Sequence, residues 1–256
     1  MKITFLGTGT SQGVPVIGST HPVCLSNDPK DKRLRCSAMV SWDDFNYVID
    51  CGPDFRQQML RANVSHINGI LLTHEHTDHI IGLDDIRPFF YKEKKDIPLF
   101  GQERVLKAMS KRFHYIFESS EKYPGTPKVD PVCIDAFKTI SLNGKKIQPI
   151  DINHGRLPIL GYRFNNLVYL TDVKTLPEHS FQYLKNIEIL VINALREEDH
   201  PTHLTLQEAL ELIKIIQPKK TYITHISHLL GFHKEVEEKL PPNVHLAYDG
   251  LEIEIK

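Results

Sequence analysis

The chain has 256 residues, 41% of them hydrophobic and 25% charged, with a formal net charge of −1. That length can bury a sizeable core, and near-neutrality excludes a global field that would gather polyanions such as nucleic acid. Four widely spaced cysteines exclude a disulfide framework, and no apolar run reaches membrane-spanning length.

Residues 2–7 read as a strand, their apolar run being too short for a signal peptide. Together with reduced thiols this points to a soluble, cytoplasmic protein. Residues 8–35 form a loop rich in Gly, Pro, Ser and Asp. Residues 37–42 and 46–50 suit a hairpin around Asp43 and Asp44, and 54–62 have helical spacing behind Pro53. The short apolar run 69–73 suits a buried strand and ends at a histidine cluster, and residues 102–113 read as a helix. The segment 119–130 carries no pattern that assigns it a role.

In the second half, strands are expected at 134–140, 146–152, 161–164, 167–170 and 189–193, with turns at Asn143-Gly144 and Asn165-Asn166. An amphipathic helix spans 205–216, a strand 221–224 and a helix 233–240. Strands near 244–246 and 251–255 follow. Without linker or repeat, two such halves predict one domain over residues 1–256, built as a four-layer αββα sandwich of the α/β class.

Thr73-His74-Glu75-His76-Thr77-Asp78-His79 packs three imidazoles and a carboxylate into six residues at a strand end. Neutral imidazole and carboxylate bind Zn, Mn or Fe, and one ion cannot easily use all four from so short a turn. His74 and His76 alternate and can share one metal, leaving Asp78 and His79 for a second. Three later residues also follow apolar strands: His154, Asp172 and His225. Alone, each reads as a turn histidine, a helix cap or an edge histidine. Their common placement argues that they converge on one sheet edge.

The series T-H-x-H-x-D-H, lone His, T-D and late T-H resembles the motifs of the metallo-β-lactamase superfamily. The resemblance implies that His74, His76 and His154 bind one divalent ion, Asp78, His79 and His225 another, and that Asp172 bridges them. Asp50, at the end of Tyr47-Val48-Ile49-Asp50, resembles the acid that supports the histidine loop. His76 stands where di-iron redox members carry a carboxylate. Antibiotic-hydrolysing members usually lack the bridging acid, and glyoxalase-type thioesterases append a helical domain after the last histidine.

Phe5 to Pro15, a strand with a Gly-rich loop, resembles the opening of tRNase Z and of the phosphoribosyl cyclic phosphodiesterases of the carbon–phosphorus lyase pathway. Glycines there would let backbone N–H groups approach a phosphate. His203-Leu204-Thr205 resembles the H-x-T motif whose histidine donates a proton, with His200 a rival. Between His154 and Asp172 there is no room for a tRNA-binding arm, so the cyclic phosphodiesterase branch is the nearer match and no nucleic-acid or membrane partner is expected. That branch pairs a Cys-rich loop with a late histidine. Here Ser19, His21 and Cys24 occupy the loop, so His21, Cys24 and His228 offer an additional structural zinc site one ligand short of closed.

These readings converge on a dinuclear phosphodiesterase holding two divalent ions, Mn or Zn or else Fe, with manganese and a homodimer favoured by the resemblance. Its substrate would be a small phosphodiester, such as a cyclic nucleotide-like or phosphoribosyl cyclic phosphate, attacked by hydroxide shared between the metals. Asp78, Asp172 and His203 would carry the chemistry. A metal-dependent hydrolase of carboxylic esters, thioesters or lactones is the alternative, and a non-catalytic metal-binding module a third reading.

Overall fold

The computed structural model describes residues 1–118 and 125–255; residues 119–124, within the unassigned segment 119–130, lie outside the described residues. The first sheet contains β1 (Lys2–Gly7), β2 (Ser37–Trp42), β3 (Phe45–Ile49), β4 (Gly69–Leu71), β5 (Ile97–Gly101), β6 (Val129–Cys133) and β14 (Glu252–Glu254), in the order β14-β1-β2-β3-β4-β5-β6. The second contains β7 (Ile140–Leu142), β8 (Lys145–His154), β9 (Leu157–Phe164), β10 (Leu167–Leu170), β11 (Ile189–Asn193), β12 (Lys220–Thr224) and β13 (Val244–Leu246), in the order β13-β12-β11-β10-β9-β8-β7. The helices are α1 (Pro22–Leu25), α2 (Phe55–Arg61), α3 (Thr77–Ile80), α4 (Arg87–Glu93), α5 (Glu103–Arg112), α6 (His114–Phe117), α7 (Leu206–Ile216) and α8 (His233–Glu237).

Side-chain alternation builds the layers. Along β10, Leu167 and Tyr169 enter the core between the sheets, whereas Val168 and Leu170 face the layer that holds Leu206, Ala209 and Ile213 of α7. Along β3, Tyr47 and Ile49 point inward, and Val48 packs with Phe55 and Met59 of α2 and Val105 and Met109 of α5. Three apolar layers therefore separate four structural layers, giving the αββα sandwich. Each fully buried side chain of this kind contributes about 1.5–3 kcal/mol, enough to hold the sheet edges where the polar loops emerge.

One strand expectation needs correction, and one strand was not foreseen. Residues 134–139 lie outside any strand, and β6 ends before them at Cys133. β6 is an edge strand, where Pro131 costs no ladder hydrogen bond. β5 was hidden because Pro98 reads as a breaker, yet it pairs parallel with β4 and β6. α8 also stops at Glu237, short of the expected 240. Among the described residues no helix is long and apolar enough to cross a membrane.

Candidate metal centre

Three strands end with the same device. Asp50 after β3, Asp172 after β10 and His225 after β12 take positive φ, at 62°, 60° and 55°. Asp and His tolerate this left-handed conformation better than most residues, and such strain concentrates at functional sites. The chain thus turns sharply as it leaves each strand and lays a polar side chain across the sheet edge. The loop after β4, which runs into α3, brings His74, His76, Asp78 and His79 to the same edge, and His154 ends β8.

Asp172 lies at the centre. Its Oδ2 is 3.5 Å from His79 Nε2, 3.8 Å from His74 Nε2 and 4.0 Å from His154 Nε2, while its Oδ1 is 3.4 Å from His225 Nε2. Around it, His74, His76 and His154 present ligand atoms all within 4.8 Å of one another, as do Asp78, His79 and His225. The two expected ligand sets therefore assemble as two groups, and Asp172 touches both.

Outer hydrogen bonds fix the rings. His79 Nδ1 lies 2.6 Å from Asp50 Oδ2, His74 Nδ1 lies 2.9 Å from Thr73 Oγ1, and His154 Nδ1 lies 2.8 Å from the Thr202 carbonyl. Asp50 also accepts from the backbone N–H and hydroxyl of Thr73, both at 2.8 Å. A ring held through Nδ1 directs Nε2 into the centre, the arrangement metal-binding histidines use. Gly52 permits the close packing below, because a Cβ there would stand 2.0 Å from the Asp78 carbonyl oxygen.

The residues fit divalent ions on two counts. His79 Nε2 and both ring nitrogens of His225 are buried without a hydrogen-bond partner, a costly state unless a ligand satisfies them. The electrostatics also demand a cation. Burial opposes charge on His79, yet Asp172, Asp50 and Asp78 outweigh it and raise its pKa well above the imidazole range. Burial likewise opposes charge on Asp172, and His225, His79 and His74 hold its pKa well below the usual carboxylate range. In the metal-free chain a proton on His79 thus carries part of the positive charge that ions would bring.

His203 joins this centre. It is buried, its ring stacks on His225 at 4.7 Å and lies 4.6 Å from His154, and its Nδ1 has no partner. Its ligand atom groups with those of His154 and Asp172. His200 stands one step further out, 5.0 Å from His203, with its Nδ1 accepting from the Thr202 N–H.

Two expectations concern the long loop before β2. Most N–H groups of the Gly-rich stretch are already used, so it is no preassembled phosphate cradle, although those of Ser11 and Gln12 make no bond among the described residues. Thr8 donates to Asp249, Gly9 to the Leu34 carbonyl, Thr10 to the Ile226 carbonyl and Gly13 to the Thr10 carbonyl. Gly7 serves a close backbone approach instead, since a Cβ would lie 1.9 Å from the Arg35 oxygen. The additional zinc site is not assembled either. His21 and His228 pack edge to face at 5.0 Å, but Cys24 Sγ accepts from the Val16 N–H and packs with Val14 and Val23. Among the described residues, His21, Cys24 and His228 form no three-ligand group, and His21 Nδ1 caps α1 through the Val23 N–H.

Comparison with known proteins bears on this geometry. The beta-lactamase superfamily domain matches residues 45–226, which includes every strand end described above. A solved diphosphatase from the PhnP family is 40% identical, with a TM-score of 0.93, and the match covers this whole chain and 98% of that one. The chain belongs to the metallo-β-lactamase superfamily, within the PhnP family. An octanoyltransferase of Porphyromonas gingivalis is 39% identical over 254 residues, 98% of this chain and 51% of that protein. The chain thus spans about half the length of that relative. A ribonuclease Z of Methanococcus maripaludis is 32% identical over 111 residues, 42% of this chain and 31% of its own. The superfamily match and the PhnP-family neighbour support a metal-dependent hydrolase. Arg104, Thr202 and Tyr162, which support the centre, carried no signal in the sequence.

Proposed function

We propose that residues 1–256 form one catalytic unit, a dinuclear hydrolase that cleaves a phosphodiester linkage in a small molecule. His74, His76 and His154 would hold one divalent ion and Asp78, His79 and His225 the other, with Asp172 placed to serve both; the all-nitrogen-and-oxygen donor set suits Mn, Zn or Fe. The observation that carries the phosphorus reading is buried His203, with an unpartnered Nδ1 beside His154 and Asp172. Hydrolysis at phosphorus must protonate a poor alkoxide leaving group, and a positioned imidazole does that. A small substrate is supported by the interval from His154 to Asp172, where β8, β9 and β10 are joined only by two-residue turns.

Bound there, two divalent ions would supply Lewis acidity and a water acidified toward a pKa of about 7. The chain's part is to orient and to move protons. Asp50, Thr73 and the Thr202 carbonyl lock three of the rings, so no reorganisation is needed as charge develops. Burial, and then the charge of His225, push the His203 imidazole down to about 2 in the metal-free chain, so it stands neutral at pH 7. An anionic phosphate beside it supplies the negative charge that favours the protonated, donating form.

A second reading is favoured by the 40% identical relative, which is described as a diphosphatase. Each phosphorus of a disubstituted diphosphate is itself a diester centre, so the same residues serve, with a phosphate monoester as the leaving group. The test is turnover of bis(p-nitrophenyl) phosphate, a dinucleoside diphosphate and p-nitrophenyl acetate by metal-loaded protein. Diester hydrolysis is expected; His203→Ala should slow cleavage of a diester with an alkoxide leaving group, such as a ribose cyclic phosphate, about 10²–10⁴-fold and that of bis(p-nitrophenyl) phosphate far less, while leaving metal content intact. Diphosphate turnover alone would select the second reading. Acetate turnover alone would move the chemistry to carbonyl esters and overturn both.

A further inference from the structure

His76 differs from its neighbours in the centre. His74 and His154 are each anchored from outside, by Thr73 and by the Thr202 carbonyl. His76 is exposed, and the one hydrogen-bond contact of its ring among the described residues is with another member of the centre, His74, at 2.9 Å. A ring without an outer partner is oriented only as well as its backbone is held.

The backbone is held through the residue between the two histidines. Glu75 receives Arg104 Nη1 on both carboxylate oxygens, at 2.7 and 2.6 Å. Arg104 opens α5, and its Nη2 donates to Gln102 Oε1 at 3.1 Å and to the Pro158 carbonyl. Pro158 lies on β9 opposite Asn153, one residue from His154. One guanidinium therefore joins the loop carrying His74 and His76 to the hairpin carrying His154, and so the first sheet to the second.

Other ties cross this seam deeper down. Leu160 N–H donates to the Thr73 carbonyl at 3.1 Å and Tyr162 hydroxyl to the Leu72 carbonyl at 2.5 Å. Both act before the chain reaches His74, and the further tie on His76, its carbonyl accepting from the His79 N–H at 3.0 Å, runs within the same loop rather than across the seam. At the level of the histidines themselves, the tie is Arg104. The Arg104 clamp does not extend to Asp78, His79 or His225; His79 is held separately, by Asp50 on its Nδ1 and by the Cys51 N–H on its carbonyl.

We propose that Arg104 is a positioning residue for one metal position only: by clamping Glu75 and the Pro158 carbonyl, it fixes His76 against His154. This rests on the two-metal reading above. Arginine suits the task because its planar fork can grip a carboxylate and still donate sideways, which lysine cannot do. Loss of an outer partner of a metal ligand typically weakens binding 10–100-fold.

The test is calorimetric titration of metal-free protein with zinc, read as two binding steps, for wild type, Arg104→Ala, Arg104→Lys, Glu75→Gln and His76→Ala. Arg104→Ala is expected to weaken by about 10–100-fold the same step that His76→Ala removes, and to leave the other step unchanged. Glu75→Gln should follow it more mildly, and lysine should restore only part of the loss. The melting temperature of the metal-free Arg104→Ala protein should stay within a few degrees of wild type, separating positioning from unfolding. Equal weakening of both steps, no weakening, or full rescue by lysine would each overturn the inference while the two-metal reading stands. Wild-type protein binding fewer than two ions would overturn that reading and this inference with it.

Discussion

Two buried polar clusters flank the ends of the long loop before β2, and they differ in how completely their atoms are used. At the first, Arg33 donates to the Thr8 hydroxyl at 2.8 Å and the Ala247 carbonyl at 2.7 Å, and its Nη2 meets His233 Nδ1 at 3.1 Å. Asp249 accepts from Thr8, Leu34 and Arg61, and Asp31 accepts from Ser26 and the His233 N–H. None of these atoms is left without a partner. At the metal centre, by contrast, four buried ring nitrogens of His79, His203 and His225 are unpartnered. Burial and polarity are common to both, and saturation separates them. A satisfied cluster fixes a fold, whereas one with converging orphan atoms is built for something that must arrive.

Asp172→Ala sets the contrast at its widest. It removes the carboxylate both ligand groups share, so diester hydrolysis should fall at least about 10³-fold, the several kcal/mol expected when a two-metal site is broken. The metal-free protein should lose some stability as well, because His225, His79 and His74 favour the ionised Asp172, so activity is compared below both melting temperatures. Kinetics, elemental analysis and calorimetry check this together, and surviving activity would break the bridging assignment.

Arg33→Met should do the reverse. Burial lowers the Arg33 pKa to about 10, so it remains charged at pH 7, and its removal leaves Asp249 and Asp31 short of a counter-charge. Leaving the buried acceptors Thr8 Oγ1, the Ala247 carbonyl and His233 Nδ1 without their donor costs about 1–3 kcal/mol each. Urea unfolding should register that loss, while folded protein still takes up two metals. Lost metal binding without lost stability would show that the satisfied cluster also serves the centre.

The same contrast explains what the sequence discloses. His74, His76, Asp78 and His79 are contiguous, and His154, Asp172 and His225 each follow an apolar strand, so ligand identity could be read from local order. The sandwich followed from two halves of short strand runs, such as Leu167 to Leu170, with helical patterns between them. Partnerships set only by folding could not be read. Arg33 finds Ala247 across 214 residues and Arg104 finds Pro158 across 54. Glycine misled for a related reason: Gly7 and Gly9 answer to the backbone of residues 33–35, which no local pattern announces. Cys24 and His228 looked like ligands by spacing, yet the sulfur turns to Val16.

The smallest effect is expected from His233, which tests whether the satisfied cluster is tuned to one charge state. Burial, then Arg33 and Lys30, push its pKa down to about 4, with Glu237 and Asp28 pulling weakly the other way. Its Nδ1 faces a guanidinium that can only donate, so the folded state requires a neutral ring. Unfolded, the ring titrates near 6.5 and binds a proton that the folded state excludes. The resulting stability is therefore complete above about pH 6.5 and is lost as pH falls toward about 4, at no more than about 1.4 kcal/mol per pH unit. His233→Gln keeps an acceptor for Arg33 and cannot titrate. Urea midpoints of the two metal-free proteins between pH 7 and 4 should converge as pH falls, because only wild type carries the extra one-proton slope. Parallel curves would mean that Arg33 does not hold His233 neutral, and the cluster would then be tolerant rather than saturated.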